Sequence, residues 1–312
     1  MKRWLYVGLA ALVLATSVWL TQGPLDKAIE EPAATVKPRR LPVVPESMRA
    51  EGRPPAKAPN KPSERAMKAM VADILEKHRD LYGYAGMLDY DDAKALIEKR
   101  RKTSAEYVRR LAKLGSGGSR AISGMYDEAG ATHQKMLLID ALGQIEDEEA
   151  VPTLETLFKE EDGFSMRKEI IGSLAERPEA EAGDAIADIL DNEEKSRLRF
   201  NSVQALSGRE GSLDTLADHL RNDPNRDVRL ESINAVARVG SDAARNVLAE
   251  VAHGDTDVRV RQTAIQELAR SFGDAALADL QILMEDPNKT IRKNAARAMQ
   301  RIQPQEQQAA TE

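Results

Sequence analysis

Six times between Gln134 and Ile302 the chain writes the same short helical pattern. An apolar residue is followed by Lys or Arg, two free positions, two small or apolar residues, one free position, then small and large apolar residues. It reads Met166-Arg167 with Ile170-Ile171 and Ser173-Leu174, then Leu198-Arg199 with Ser202-Val203 and Ala205-Leu206. Val228-Arg229 with Ser232-Ile233 and Ala235-Val236, Val260-Arg261 with Ala264-Ile265 and Leu268, and Ile291-Arg292 with Ala295-Ala296 and Ala298-Met299 continue it. A weaker first copy, Gln134-Lys135 with Leu138-Ile139 and Ala141-Leu142, has a polar residue in the apolar slot, as suits a terminal and partly exposed repeat. The basic position falls at Lys135, Arg167, Arg199, Arg229, Arg261 and Arg292, with spacings of 32, 32, 30, 32 and 31. Apolar residues three and four apart form one face of a helix. A fixed period of this length marks a stack of small helical units, so the fold class is all-α and the architecture an α-solenoid.

Each copy is preceded by a second apolar stripe. Val151, Leu154, Leu157 and Phe158 form one, with Pro152 in the first turn, where its missing N–H costs nothing. Ile186, Ile189 and Leu190; Leu213, Leu216 and Leu220; Val247, Leu248 and Val251; and Leu277, Leu280 and Leu283 form the others. Two of the connecting turns read Asp223-Pro224-Asn225 and Asp286-Pro287-Asn288. Proline stops the first helix and Asn caps the second. This arrangement resembles the HEAT-repeat family over residues 120–302, and most closely its short bacterial form associated with phycobilin lyases. The resemblance implies about six stacked antiparallel helix pairs in a right-handed superhelix, second helices on the concave side. At roughly 10 Å between packed helices, six pairs make a stack about 60 Å long.

Ahead of the repeats the chain changes character twice. Residues 4–20 carry no charge, are bracketed by Trp4 and Trp19, and follow Lys2 and Arg3. That is a short single-pass transmembrane anchor with aromatic rings at its two interfaces. The basic tail (1–3) then stays cytoplasmic, and everything after Leu20 lies outside the cytoplasm, on the periplasmic side of an inner membrane. Small residues at Ala15-Thr16-Ser17 leave cleavage and secretion as the alternative. Residues 21–63 form a spacer, because nine of the fourteen prolines lie between 23 and 62. Such a segment is extended and semi-rigid, at roughly 3.1 Å per residue.

Residues 64–114 read as a helical cap or docking module. One helix runs from about Glu64 to Arg79, and a second from Asp91 to Leu114 with a restart at Thr103, where Thr103 and Glu106 match a capping box. Gly115-Ser116-Gly117-Gly118-Ser119 separates it from the repeats, and residues 303–312 read as a disordered tail.

Two surface features stand out. Residues 144–196 hold seventeen acidic against five basic residues, beginning with Glu146, Asp147, Glu148 and Glu149. The stretch 98–113 is the reverse, with Lys99, Arg100, Arg101, Arg109 and Arg110 among seven basic residues against two acidic ones. Opposed patches side by side would both attract and orient a partner. The basic column of the repeats is better explained as structural. One basic residue per unit fits a tie to an Asp or to helix-end carbonyls of a neighbouring repeat, more than a ligand ladder.

Chemistry-bearing motifs are scarce. The histidines at 78, 133, 219 and 253 are far apart in sequence and never at metal spacing, and no Gly-rich phosphate loop or nucleophile elbow occurs. With no cysteine, thiolate metal sites, disulfides and a cysteine nucleophile are excluded. A net charge of −6 disfavours nucleic acid as a partner. Tyr82, Tyr84 and Tyr90 form the one exposed-looking aromatic group, read as packing for a helix hairpin. The expectation is therefore a membrane-anchored, extracytoplasmic scaffold. It binds a protein or peptide along its concave or acidic surface, without a cofactor and without catalysis. A phycobilin-lyase-like enzyme or small-molecule carrier is the alternative.

Overall fold

The computed structural model describes residues 62–83 and 88–309, with side chains to Ile302. All of them belong to one compact unit. The run 4–20 expected to be an anchor, the expected spacer before Pro62 and Tyr84 lie outside the described residues, and among the described residues no helix is long and apolar enough to cross a membrane.

The N-terminal helices are α1 (Glu64–Leu81), α2 (Tyr90–Ala112) and the short α3 (Gly118–Ser123), followed by α4 (Thr132–Gln144). Five helix pairs complete the stack: α5 (Ala150–Glu160) with α6 (Phe164–Glu176), α7 (Ala180–Asn192) with α8 (Ser196–Leu206), α9 (Leu213–Asn222) with α10 (Arg226–Val239), α11 (Asp242–Gly254) with α12 (Val258–Phe272), and α13 (Leu277–Leu283) with α14 (Lys289–Ala309). A 3₁₀ turn at Gly273–Ala276 leads into α13. The turn residues act as their chemistry dictates. The Asn225 side chain accepts from the N–H groups of Asp227 and Val228 at 2.9 and 3.3 Å, and Asp257 accepts from Arg259 and Val260 at 2.7 and 3.4 Å. Gly240 closes α10 in the left-handed region, at φ 68°, where a side chain would be strained.

The periodic apolar residues form one continuous core along the stack, including the fully buried Leu138, Leu142, Leu154, Ile170, Leu174, Leu198, Val236 and Leu268. Each such leucine contributes roughly 1.5–3 kcal/mol. Second helices pack on second helices throughout (α4 on α6, α6 on α8, α8 on α10, α10 on α12, α12 on α14), whereas successive first helices meet at few points. The tightly packed row is thus the one that the resemblance places on the concave side. Gly143 shows how tight it is: a Cβ there would stand 3.0–3.2 Å from Ser173.

The segment 64–114, read as a helical cap, packs onto the stack, α1 on α3 and α2 on α4. Other expectations need correction. Helix α2 runs unbroken past Thr103, because no chain breaker precedes that residue to free the N–H groups its side chain would cap. The Gly/Ser stretch at 115–119 is partly helical, since Gly118 and Ser119 open α3. Gln134 is not exposed: it is buried beneath α1, and its amide donates to the Leu75 carbonyl at 2.8 Å. Helix α14 runs to Ala309, into the stretch read as a disordered tail.

Candidate binding surfaces and the inter-repeat ladder

Each basic residue of the column sits in the first turns of a second helix, and in five of the six units it meets a carboxylate from the turn of the following unit. Lys135 Nζ lies 2.9 Å from Glu161, Arg167 2.8 Å from Glu193, and Arg199 2.7 Å from Asp223. Arg229 lies 2.9 Å from Asp255, and Arg261 pairs with Asp286. Arg199 and Arg229 grip both carboxylate oxygens through Nε and Nη2. The same carboxylates accept the backbone N–H two residues on, at 2.7–2.8 Å, in four of the turns: Glu193, Asp223, Asp255 and Asp286. One acidic residue therefore shapes its own turn and ties down the previous unit.

The electrostatics follow the geometry. Burial works to raise Asp223, but hydrogen bonds from Arg199, the Asn225 N–H and His219 outweigh it and hold the carboxyl below its ordinary value. Asp286 is likewise held low against burial, by the Asn288 N–H and Arg261. Burial works to raise Glu161 as well, but it is held low by Lys135 and by the Tyr126 hydroxyl, which donates to it at 2.8 Å. These are structural ties and leave little of the column for a ligand.

A second set of arginines, which the repeat pattern does not flag, staples the opposite edge. Buried Arg177 donates to the carbonyls of Leu142 and Ile145 at 2.8 and 2.9 Å, at the C-terminus of α4. Arg209 does the same at the end of α6, to Ala175, Arg177 and Glu179. Cations suit helix C-termini, where carbonyls lack intrahelical partners. The only sequence signal was an Arg just past the end of two second helices.

The two charge patches are partly consumed by the fold. Asp147 is buried and accepts from the Gly117 and Ser119 N–H groups, both at 3.0 Å, fixing the start of α3. Glu149 pairs with Arg120 across an open groove between α3 and α5, of about 450 Å³, lined also by Tyr126, Asp127, Thr153 and Glu160. Of the four acids that open the patch only Glu146 and Glu148 remain fully exposed, whereas further along it Asp162, Glu179, Glu181, Asp184 and Asp188 also face solvent. Arg100 turns inward to the carbonyls of Leu81 and Gly83. Arg101 pairs with Glu98 on its own helix, while Lys99, Arg109 and Arg110 face solvent. No ion pair joins the two patches among the described residues.

Folding assembles two clusters that sequence distance hid. His78 and His133, 55 positions apart, approach to 5.2 Å between ring centroids, with Tyr82 stacked on His133 at 4.3 Å and the Arg100 guanidinium over Tyr82. Burial, and then His133, push His78 down to about 4; burial and Arg100 lower His133. Tyr82 is thus packing, whereas Tyr90 is exposed. His219, which looked like an ordinary helix-end residue, bridges Asp191 at 2.9 Å and Asp223 at 3.3 Å. No group of three or more His, Asp or Glu side chains is placed to hold a metal ion among the described residues.

The second cluster lies on the second-helix row. Asp140 of α4 faces Glu169 of α6, with Glu176 nearby, and its carboxyl is pushed up to about 8 by burial, then by Glu169 and Glu176. None of the three joins an ion pair among the described residues. Aligning the repeats from the basic position would have exposed it. Asp140 stands five residues on from Lys135, where later units place Gly172, Gln204, Asn234, Gln266 and Arg297.

The family model for HEAT repeats matches residues 133–207 and 213–300, just over half of the chain. No curated protein matches the sequence. Among solved structures, human deoxyhypusine hydroxylase in complex with glycerol is similar at 18% identity and a TM-score of 0.33, covering 76% of this chain and 96% of that one. The CpcE–CpcF complex of phycocyanin lyase from a Nostoc species is similar at 17% identity and a TM-score of 0.36, covering 81% and 92%. From the matched repeats, and from helix pairs tied unit to unit by a recurring ion pair, the chain belongs to the HEAT-repeat family.

Proposed function

We propose that this HEAT-repeat protein is a scaffold whose second-helix row binds a protein or peptide segment carrying basic side chains, centred on Asp140, Glu169 and Glu176. The observation that carries the reading is the placement of Asp140 of α4 against Glu169 of α6, with no cation paired to either among the described residues. The ladder answers its buried carboxylates with cations, whereas here acidic groups face each other on a surface row. A lysine or arginine from a partner would relieve that repulsion, so part of the affinity comes from strain already present in the free protein.

Fluorescence anisotropy with a labelled Lys/Arg-rich peptide tests this on the full chain. The expected result is saturable binding, weakened at least tenfold at pH 7.5 by Asp140→Asn combined with Glu169→Gln. Equal affinity for wild type and the double variant would overturn the assignment. The reading also places the scaffold at a membrane through residues 4–20, with the repeats on the extracytoplasmic side. Its support is the uncharged run between Trp4 and Trp19 behind Lys2 and Arg3. Extraction of the full-length protein from membranes by carbonate, together with protease resistance in sealed spheroplasts, would overturn that placement.

A further inference from the structure

We propose that the C-terminal end of the stack is a second docking site, independent of the Asp140 surface, and that it receives an acidic amphipathic helix from a partner protein. The inference starts from the ladder. In Arg229, Nη1 is anchored on the Asp223 carbonyl of its own turn at 2.9 Å, which leaves Nε and Nη2 to grip Asp255 of the next unit. Arg199 is built the same way, with Nη1 on the carbonyls of Glu193 and Glu194 and the fork on Asp223. Arg292 repeats the first half of that construction. Its Nη1 donates to the carbonyls of Asp286 and Pro287 at 2.7 and 3.0 Å. The pose is thus preset, but among the described residues no carboxylate meets its Nε–Nη2 fork.

The surroundings say what fits. Between Lys289 and Ile302 there are five basic residues and no acidic one. Lys289, Lys293, Arg297 and Arg301 recur every fourth position, all exposed, so they form one row along α14. On the adjoining helix α13, Ile282 is 61% exposed, the most exposed large aliphatic side chain among the described residues. Five times in this chain the equivalent surface is covered by a helix that brings apolar residues to the core and a carboxylate at or just beyond its C-terminus. The sixth surface offers the same contacts with added positive charge.

A second copy stacking head to tail does not supply the missing group. The helix that would arrive is α1, whose C-cap position holds Tyr82; its nearest carboxylate, Asp80, lies inside the last helical turn and not at the ladder position. The helix paired with it, α2, adds the basic face of Lys99, Arg101, Arg109 and Arg110. Like charges would meet, which argues against a second copy as the occupant.

The probe is a side-chain-stapled peptide of residues 242–257, the chain's own α11 with its turn, in which Asp255 answers Arg229. Its binding to the full-length protein is read by fluorescence anisotropy at low salt. The proposal expects saturable binding, weakened at least tenfold by Arg292→Met in the protein or by Asp255→Asn in the peptide. The two changes together should add little to either alone. Lys293→Glu with Arg297→Glu should also weaken binding, and circular dichroism establishes that each variant stays folded. The site assignment is overturned by absence of binding, or by binding indifferent to Arg292 and Asp255. Concentration-dependent self-association in sedimentation velocity that Arg292→Met abolishes overturns the different-chain assignment.

Discussion

The ladder along the turns and the Asp140 surface on the second-helix row are both built from carboxylates in reach of the neighbouring repeat, yet they end in opposite electrostatic states. In the ladder each acid meets a guanidinium or ammonium from the unit before it, and Asp223 and Asp286 are held below the ordinary range in spite of burial. On the second-helix row Asp140 meets Glu169, and burial with like charge drives its carboxyl up to about 8. A single repeat period yields both, because period sets which positions meet and side-chain identity sets the sign. The difference separates charge that holds the stack together from charge the stack leaves without a cation.

The largest expected effect comes from breaking a rung. Asp223→Ala leaves buried Arg199 without its carboxylate and removes the Asn225 N–H acceptor, so the stack should lose about 3–5 kcal/mol in urea denaturation. Replacing both partners by apolar residues of similar size, Arg199→Met with Asp223→Leu, should cost clearly less than Asp223→Ala alone. A double variant as unstable as the single one would mean that packing, not the ion pair, holds this joint.

The opposite sign is expected on the second-helix row. The Asp140 carboxyl is raised in the folded chain, so the fold binds the proton more tightly than the unfolded chain and stability falls as pH rises from about 4 to about 8. Asp140→Asn removes that loss. It should stabilise the protein by on the order of 2 kcal/mol at pH 8 and hardly at all at pH 4. Melting temperatures of wild type and variant across that range decide it, and parallel curves would show that Asp140 and Glu169 are not repelling each other.

A smaller effect, running the other way with pH, belongs to His78. Its folded value is lowered, so the unfolded chain takes up the proton first and stability falls as pH drops from 6.5 towards 4. His78→Phe should flatten that acid limb by about 1–2 kcal/mol. Hydrogen exchange in α1 and α4 would localise the change to the junction these helices share.

Much of the fold is legible in residues taken alone. Val260-Arg261, Ala264-Ile265 and Leu268 state a helix, its buried face and its place in a stack, and Asp223-Pro224-Asn225 states where one helix stops and the next begins. Gln134 shows where such reading fails. A polar residue in an apolar slot looks exposed until α1 is known to lie over it and to offer the Leu75 carbonyl. The same holds for the site. Arg100 reads as surface charge, but the carbonyls of Leu81 and Gly83 claim it.

By itself the sequence determined what is local and periodic: the helices, their caps, the buried stripe and the six basic positions, because each depends on neighbours within about one helical turn or one repeat. Only the tertiary structure decided which carboxylate answers which arginine, that His78 and His133 share a junction, that Asp140 faces Glu169, and that no carboxylate among the described residues meets the Arg292 fork. Those pairings join residues 24 or more positions apart, across surfaces that exist only once consecutive units are stacked.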